Sequence, residues 1–103
     1  MYGPKPRGHW TQSLPQKPFR HLNPGSAYVI SQEFTDYDES LHPTGEEWTY
    51  LTYNFVPYDD GLSLFVTISG EDEWHIRLQQ REDEQGPIID RLDAHITAKM
   101  PCA

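Results

Sequence analysis

The chain has 103 residues, 36% of them hydrophobic, and eight Lys and Arg against sixteen Asp and Glu, for a formal charge of −8. That length supports one hydrophobic core and is too short for two. No apolar run approaches the ~20 residues of a membrane span, and the Met1 end lacks the ~7–15-residue apolar stretch of a signal peptide, so a cytoplasmic location is expected.

Proline and glycine are frequent, but thirteen Phe, Trp and Tyr residues argue for a packed domain over a disordered chain. The charge is uneven. Residues 1–25 carry Lys5, Arg7, Lys17 and Arg20 and no acid, giving +4, whereas the remainder is −12. Such a body repels phosphate backbones and suits a basic protein partner better than nucleic acid. Cys102 is the single cysteine, so no intramolecular disulfide can form.

Taken in order, residues 1–21 read as a flexible basic arm, because Pro4, Pro6, Pro15 and Pro18 break helices and the apolar residues have no period. Within it, Pro15-Gln-Lys-Pro18-Phe-Arg20 matches the Pro-x-x-Pro-x-Arg pattern of polyproline-type ligands. The +4 arm is also expected to be attracted to its own acidic body.

A single domain is expected over residues 22–98, followed by a tail at 99–103. Asn23-Pro24-Gly25 marks a turn, and Ala27–Phe34 reads as the first strand, with Tyr28, Ile30 and Phe34 on one face. The acidic loop Asp36–Gly45 carries Tyr37. A second strand over Glu47–Val56 is apolar on both faces, with Trp48 and Tyr50 on one and Leu51, Tyr53 and Phe55 on the other. That pattern favours a strongly curled sheet or small barrel.

Pro57-Tyr58-Asp59-Asp60-Gly61 is a turn, and Leu62–Ser69 is a third strand with Leu62, Leu64, Val66 and Ile68 inward. Glu73–Gln80 is the fourth, with Trp74, Ile76 and Leu78 inward and His75 and Arg77 on the solvated side. Pro87 then opens an amphipathic C-terminal helix whose apolar face is Ile88, Ile89, Leu92 and Ile96. The expected fold is mainly β: a small curled antiparallel four-stranded sheet or SH3-like barrel with one C-terminal helix.

No residues group into a catalytic or cofactor signature. Asp36, Asp38, Ser40 and Glu47 occupy positions 1, 3, 5 and 12 of an EF-hand count, but Leu41 replaces the Gly of position 6, Pro43 follows, and the flanks are strands. The five histidines contain no i, i+4 pair and no cysteine partner, so no zinc site is indicated. Neither a phosphate loop nor a nucleophile elbow is present, which makes an enzyme the minority reading and leaves no cofactor to expect.

What remains is aromatic content beside acid, the composition of a protein-binding surface. Candidate contacts are Asp36, Tyr37, Asp38, Tyr58, Asp59, Asp60, Phe65, His75 and Arg77, with Tyr50 a further aromatic that could reach the surface. The chain is therefore read as a small acidic binding module, of regulatory or immunity type, for a basic protein. The alternative is a small-molecule binder or small enzyme with a pocket near Trp48, Trp74 and His75.

Phe34-Thr-Asp-Tyr-Asp, His42-Pro-x-Gly-Glu-x-Trp48, Asn54-Phe-x-Pro-Tyr-Asp-Asp-Gly61, Trp74-His-Ile-Arg-Leu78 and Gly86-x-Ile-Ile-Asp90 together give residues 22–96 a resemblance to short bacterial proteins of the family called domain of unknown function 3601. Glu39 stands where that pattern has Gly. The resemblance implies no activity, cofactor or site residue. Asp36-Tyr-Asp38 followed by Gly45-Glu46 is also similar to SH3 domains, which implies barrel-like topology.

Overall fold

The computed structural model describes residues 2–56, 61–79, 81 and 85–99. Its strands are β1 (Tyr2–Pro6), β2 (Ala27–Ile30), β3 (Phe34–Thr35), β4 (Leu41–His42), β5 (Glu47–Val56), β6 (Gly61–Thr67), β7 (Asp72–Gln79) and β8 (Ile96–Ala98). Two single-turn helices, α1 (Gly86–Asp90) and α2 (Leu92–His95), precede β8. Six strands form one antiparallel sheet in the order β1-β7-β6-β5-β2-β8, while β3 and β4 make a separate hairpin. The sheet is thus mainly β and antiparallel as expected, but it has six strands and stays open where four strands or a closed barrel were anticipated.

The reason lies in β5. Pairing with β6 runs regularly through Thr49↔Thr67 and Tyr50↔Val66, then slips so that Thr52 faces Phe65 and Tyr53 faces Leu64. The extra residue, Leu51, is a β-bulge, and a one-residue slip reverses which way every later side chain points. Trp48 and Tyr50 therefore face the core before the bulge, and Tyr53 and Phe55 are turned to that same side after it. Trp48, Tyr50 and Tyr53 thus serve one buried face although they sit on both parities of β5, Phe55 lies at the exposed end of the strand, and no curling of the sheet is needed to explain them.

That face is lined by Tyr28, Ile30, Trp48, Tyr50, Leu62, Leu64, Val66, Ile76 and Leu78, all buried in one cluster. Phe34 from the hairpin and Ile89, Leu92 and Ile96 from the C-terminal segment join them, so these pieces cover the core side. Ile68, expected inward, lies beyond the end of β6 and is exposed. There Asp72 accepts hydrogen bonds from the Thr67 hydroxyl (2.7 Å) and from the Ile68 and Ser69 amides (3.0 Å each), fixing the β6–β7 turn.

The single C-terminal helix expected from Pro87 is broken. Arg91 leaves helical geometry (φ −122°), and Ile96 is extended (φ −127°, ψ 119°). Ile96-Thr-Ala98 pairs with Ile30, Val29 and Tyr28 at the open edge of β2. An unpaired edge and two β-branched residues favour a strand there over a further helical turn.

The N-terminal arm also differs from expectation. Residues 2–6 form β1 on the edge of β7, with Tyr2, Lys5 and Pro6 opposite His75, Glu73 and Asp72. Beyond it, Trp10 packs on Phe65 (5.9 Å between ring centroids) and His75 (5.4 Å), which pair with each other on the sheet's second face. Further along, Lys17 N donates to Thr52 Oγ1 (3.2 Å), which donates to Pro15 O (2.7 Å), and Tyr50 donates its hydroxyl hydrogen to Lys17 O (2.7 Å). Phe19 then rests on Tyr53 at 4.9 Å. The backbone of the Pro-x-x-Pro-x-Arg stretch is thereby spent inside the molecule, although its prolines remain exposed.

Leu92 is 1% exposed in the core cluster. Leu92→Ala is expected to cost about 2–5 kcal/mol, the range for a buried large-to-small change. Chemical denaturation would measure it, and a midpoint matching the parent's would contradict the packing of α2 described here.

Candidate functional site

The β3–β4 hairpin is held by a charged cluster. Asp36 Oδ1 accepts the amides of Asp38 (2.9 Å) and Ser40 (3.0 Å), an Asx-type arrangement that closes the loop. Its Oδ2 lies 2.8 Å from His42 Nε2, and Glu46 Oε2 lies 2.6 Å from His42 Nδ1. Trp48 Nε1 also donates to Glu46 Oε2 (3.3 Å). His42 and Asp36 are both 1% exposed, and Phe34 stacks on the imidazole at 4.8 Å.

With a carboxylate on each ring nitrogen, His42 is placed to carry two N–H donors, the imidazolium form. Burial opposes that charge, but the hydrogen bonds to Glu46 and Asp36 prevail and raise its pKa above the usual 6.5. Burial likewise opposes ionised Asp36, yet His42 and the Ser40 amide hold its pKa below 3.8. The cluster is a buried ion pair that fixes where the hairpin tip points.

At that tip Tyr37 is 42% exposed and its amide donates to Arg77 O (2.8 Å) at the β7 edge. Arg77 makes a two-pronged contact with Asp38, Nε to Oδ2 at 3.1 Å and Nη2 to Oδ1, and its guanidinium stands 5.6 Å from the Tyr37 ring. Tyr37, Ser63, His75, Arg77 and Gln79 contribute to a cleft of about 220 Å³. The His75 pKa is pushed down to about 4, by burial first and then by Arg77, so the imidazole is neutral at pH 7.

Of the candidate contacts, Tyr37, Asp38, His75 and Arg77 are therefore brought together. Asp36 is buried as a structural anchor, and Phe65, expected at the surface, is 5% exposed beneath Trp10. His75 is half-buried where a solvated position was expected. Tyr50, a further aromatic candidate, is fully buried. Tyr58, Asp59 and Asp60 lie outside the described residues.

Trp74 and His75 point to opposite faces, and Trp48 is packed against Tyr28, so these three do not share a pocket. A larger cavity, about 870 Å³, lies instead over α1 and α2, lined among others by Gln32, Arg81, Pro87, Arg91 and His95. The four residues of the EF-hand count are engaged elsewhere: Asp38 with Arg77, Glu47 with Lys99 (2.7 Å), Asp36 with His42, and Ser40 through its backbone. Among the described residues no group of three or more His, Cys, Asp or Glu is arranged to hold a metal ion.

A family model described as domain of unknown function (DUF3601) matches residues 17–97. The chain belongs to that family. It is similar to an integron cassette protein from the mobile metagenome of Vibrio cholerae, with 32% identity and a TM-score of 0.76 over 82% of this chain and 93% of the other. No curated protein matches it.

His42 and Glu46 form an i, i+4 pair of histidine with carboxylate, a signal that a pattern of histidines alone does not contain. Glu39 completes the hairpin's geometry. It stands at φ 65°, in the left-handed region that favours glycine. Such a backbone costs a non-glycine residue roughly 1–2 kcal/mol, offset by about 0.4–1 kcal/mol of extra unfolded-chain entropy if Gly replaces it. Glu39→Gly is thus expected to stabilise the fold by up to about 1 kcal/mol, read from the shift of the denaturation midpoint.

The ion pair sets a pH window. A raised His42 pKa contributes stability that is complete below its unfolded value near 6.5 and is lost as pH rises through the folded value. A lowered Asp36 pKa contributes stability complete above 3.8 and lost as pH falls through its folded value. His42→Ala, which strands Asp36, is expected to cost about 3–5 kcal/mol at pH 5.5, with the gap to the parent narrowing above pH 6.5. Melting curves from pH 5 to 9 showing a constant gap would rule out a charged His42.

Proposed function

We propose that the protein is a small acidic cytoplasmic binding module that recognises a basic segment of another protein through the hairpin tip at Tyr37. The observation carrying this reading is a 42%-exposed tyrosine whose surroundings are already rigid: Asp36 and His42 fix the loop beneath it, and Arg77 lies against its ring. A large aromatic held in place before contact loses little entropy on binding, which is why tyrosine concentrates interface energy. Leu41, 56% exposed, extends the apolar surface, and the exposed Glu33 and Glu39 supply charge complementary to a basic partner. The single cysteine among 103 residues fits a reducing compartment.

A small-molecule site or small enzyme is the second reading. The observation favouring it is the cavity over α1 and α2, whose volume falls within the ~300–1,000 Å³ range of ligand pockets, where the Tyr37 cleft does not.

Tyr37→Ala separates the two readings, since the residue is exposed and belongs to the cleft, not to the larger cavity. In a pull-down from native lysate, a stoichiometric partner should be captured by the parent at low salt, weakened by high salt, and lost by ~10-fold or more with Tyr37→Ala at unchanged melting temperature. Equal capture by parent and variant would remove the hairpin tip as the site.

A further inference from the structure

Glu73 is 0% exposed, yet none of the hydrogen bonds to its carboxylate comes from the sheet that carries it. Among the described residues, every one comes from residues 7–11. Arg7 Nη1 donates to Oε2 at 2.7 Å and Gly8 N to the same oxygen at 2.8 Å, while Trp10 N reaches Oε1 at 2.9 Å and Thr11 N at 3.3 Å. The Thr11 hydroxyl completes the set on Oε2. A buried carboxylate without partners costs several kcal/mol, so this glutamate requires a peptide turn above it.

The neighbouring surfaces fit the same ligand. The β7 edge accepts an extended strand, here β1, continued by Arg7 N donating to Glu71 O at 3.2 Å. The paired rings of Phe65 and His75, 4.9 Å apart, accept an indole, here Trp10. Edge pairing, a charge-assisted turn and an aromatic platform are the components of peptide recognition by strand addition. Glu73, Phe65 and His75 all fall inside the family-matched segment, whereas residues 2–11 precede it.

We propose that the β7 edge, the Glu73 carboxylate and the Phe65–His75 pair form a peptide-binding site. Residues 2–11 occupy it in cis, and it takes a basic partner segment of the same pattern: an extended strand, an arginine, then a turn of exposed amides ending in an aromatic residue. The occupant is basic because residues 2–11 carry Lys5 and Arg7 and no acid, whereas the chain beyond residue 25 has a net charge of −12. Because the arm is tethered, its effective concentration is high, and a partner segment enters only when the arm is loosened. This site borders the Tyr37 cleft and shares His75 with it, but its Glu73 carboxylate and paired β7 edge do not touch the hairpin tip, so it stands whether or not that tip binds anything.

The arm can be loosened without touching the receptor residues. A Cβ at Gly3 (φ +138°) would lie 2.7 Å from Glu73 O and 3.0 Å from the Trp74 ring, so Gly3→Ala cannot dock as the parent does. The experiment adds a fluorescent peptide of residues 2–14 to the full chain and measures anisotropy. The Gly3→Ala/Trp10→Ala chain should bind it saturably at one to one and about tenfold or more tighter than the parent.

Adding Glu73→Gln to that background should abolish uptake, because a carboxamide cannot accept the full set of donors. His75→Leu, which spares the carboxylate and removes half of the aromatic platform, should weaken uptake and serves if Glu73→Gln fails to fold by circular dichroism. Equal binding by parent and loosened chain, indifference to both receptor variants, or dimerisation of the loosened chain without peptide uptake would each overturn the proposal.

Discussion

One extra residue in the longest strand decides which side of this sheet is buried. Without the bulge at Leu51, β5 would present Trp48 and Tyr50 to one side and Tyr53 and Phe55 to the other, the side on which Phe65 lies beneath Trp10. With it, the first half of β5 packs against the Val66 end of β6 and the second half against Leu64 and Leu62, all on the core side. The register slip also places Thr52 opposite Phe65, on the second face, where its hydroxyl binds the backbone of residues 15–17. The course of the N-terminal segment therefore depends on the same irregularity as the core.

Two buried carboxylates then organise what the sheet does not. Asp36 gathers its own loop amides and His42, while Glu73 gathers the amides of a segment more than sixty residues away. Neither is cheap. Removing an ionised carboxylate from water is offset only when its oxygens are fully hydrogen-bonded, so each works as a test that one particular backbone conformation passes. That gives them directional authority that aliphatic packing lacks: Leu92 tolerates neighbours of roughly the right shape, whereas Glu73 demands donors at particular points.

Much of the strand content was legible in the sequence because side-chain alternation and turn residues are local signals. Glu47–Val56 is a strand over the expected span, and the Leu62 and Glu73 segments agree within a residue or two of their ends. What escaped was set by distant partners. Ile96 continues a helical spacing from Ile88, and nothing near it in sequence reveals that β2 has a vacant edge. Parity was read correctly on either side of Leu51, but the phase change between them leaves no mark in the order of apolar residues. The arm's positive charge against an acidic body is one hint that it docks, and Trp10 is another, since a large aromatic among prolines has area to bury and needs a surface to bury it on. In the candidate site, Tyr37 is exposed as its acidic loop suggests, whereas Asp36, a candidate contact by the same reasoning, is a buried anchor, because its partner His42 lies across the hairpin.

The distribution of charge gains a different meaning once these contacts are known. A body of −12 suggests a uniformly acidic surface, yet Asp36 and Glu73 are fully withdrawn from water, and Asp38 is joined to Arg77. These carboxylates set conformation and add little to the long-range field felt by a partner, because a paired charge is largely cancelled at a distance. The long-range negative field therefore falls to exposed carboxylates such as Glu33 and Glu39, on and beside the hairpin whose direction the buried pair controls. The outward field and the local conformation are thus carried by different carboxylates, and a substitution that preserves one can still destroy the other.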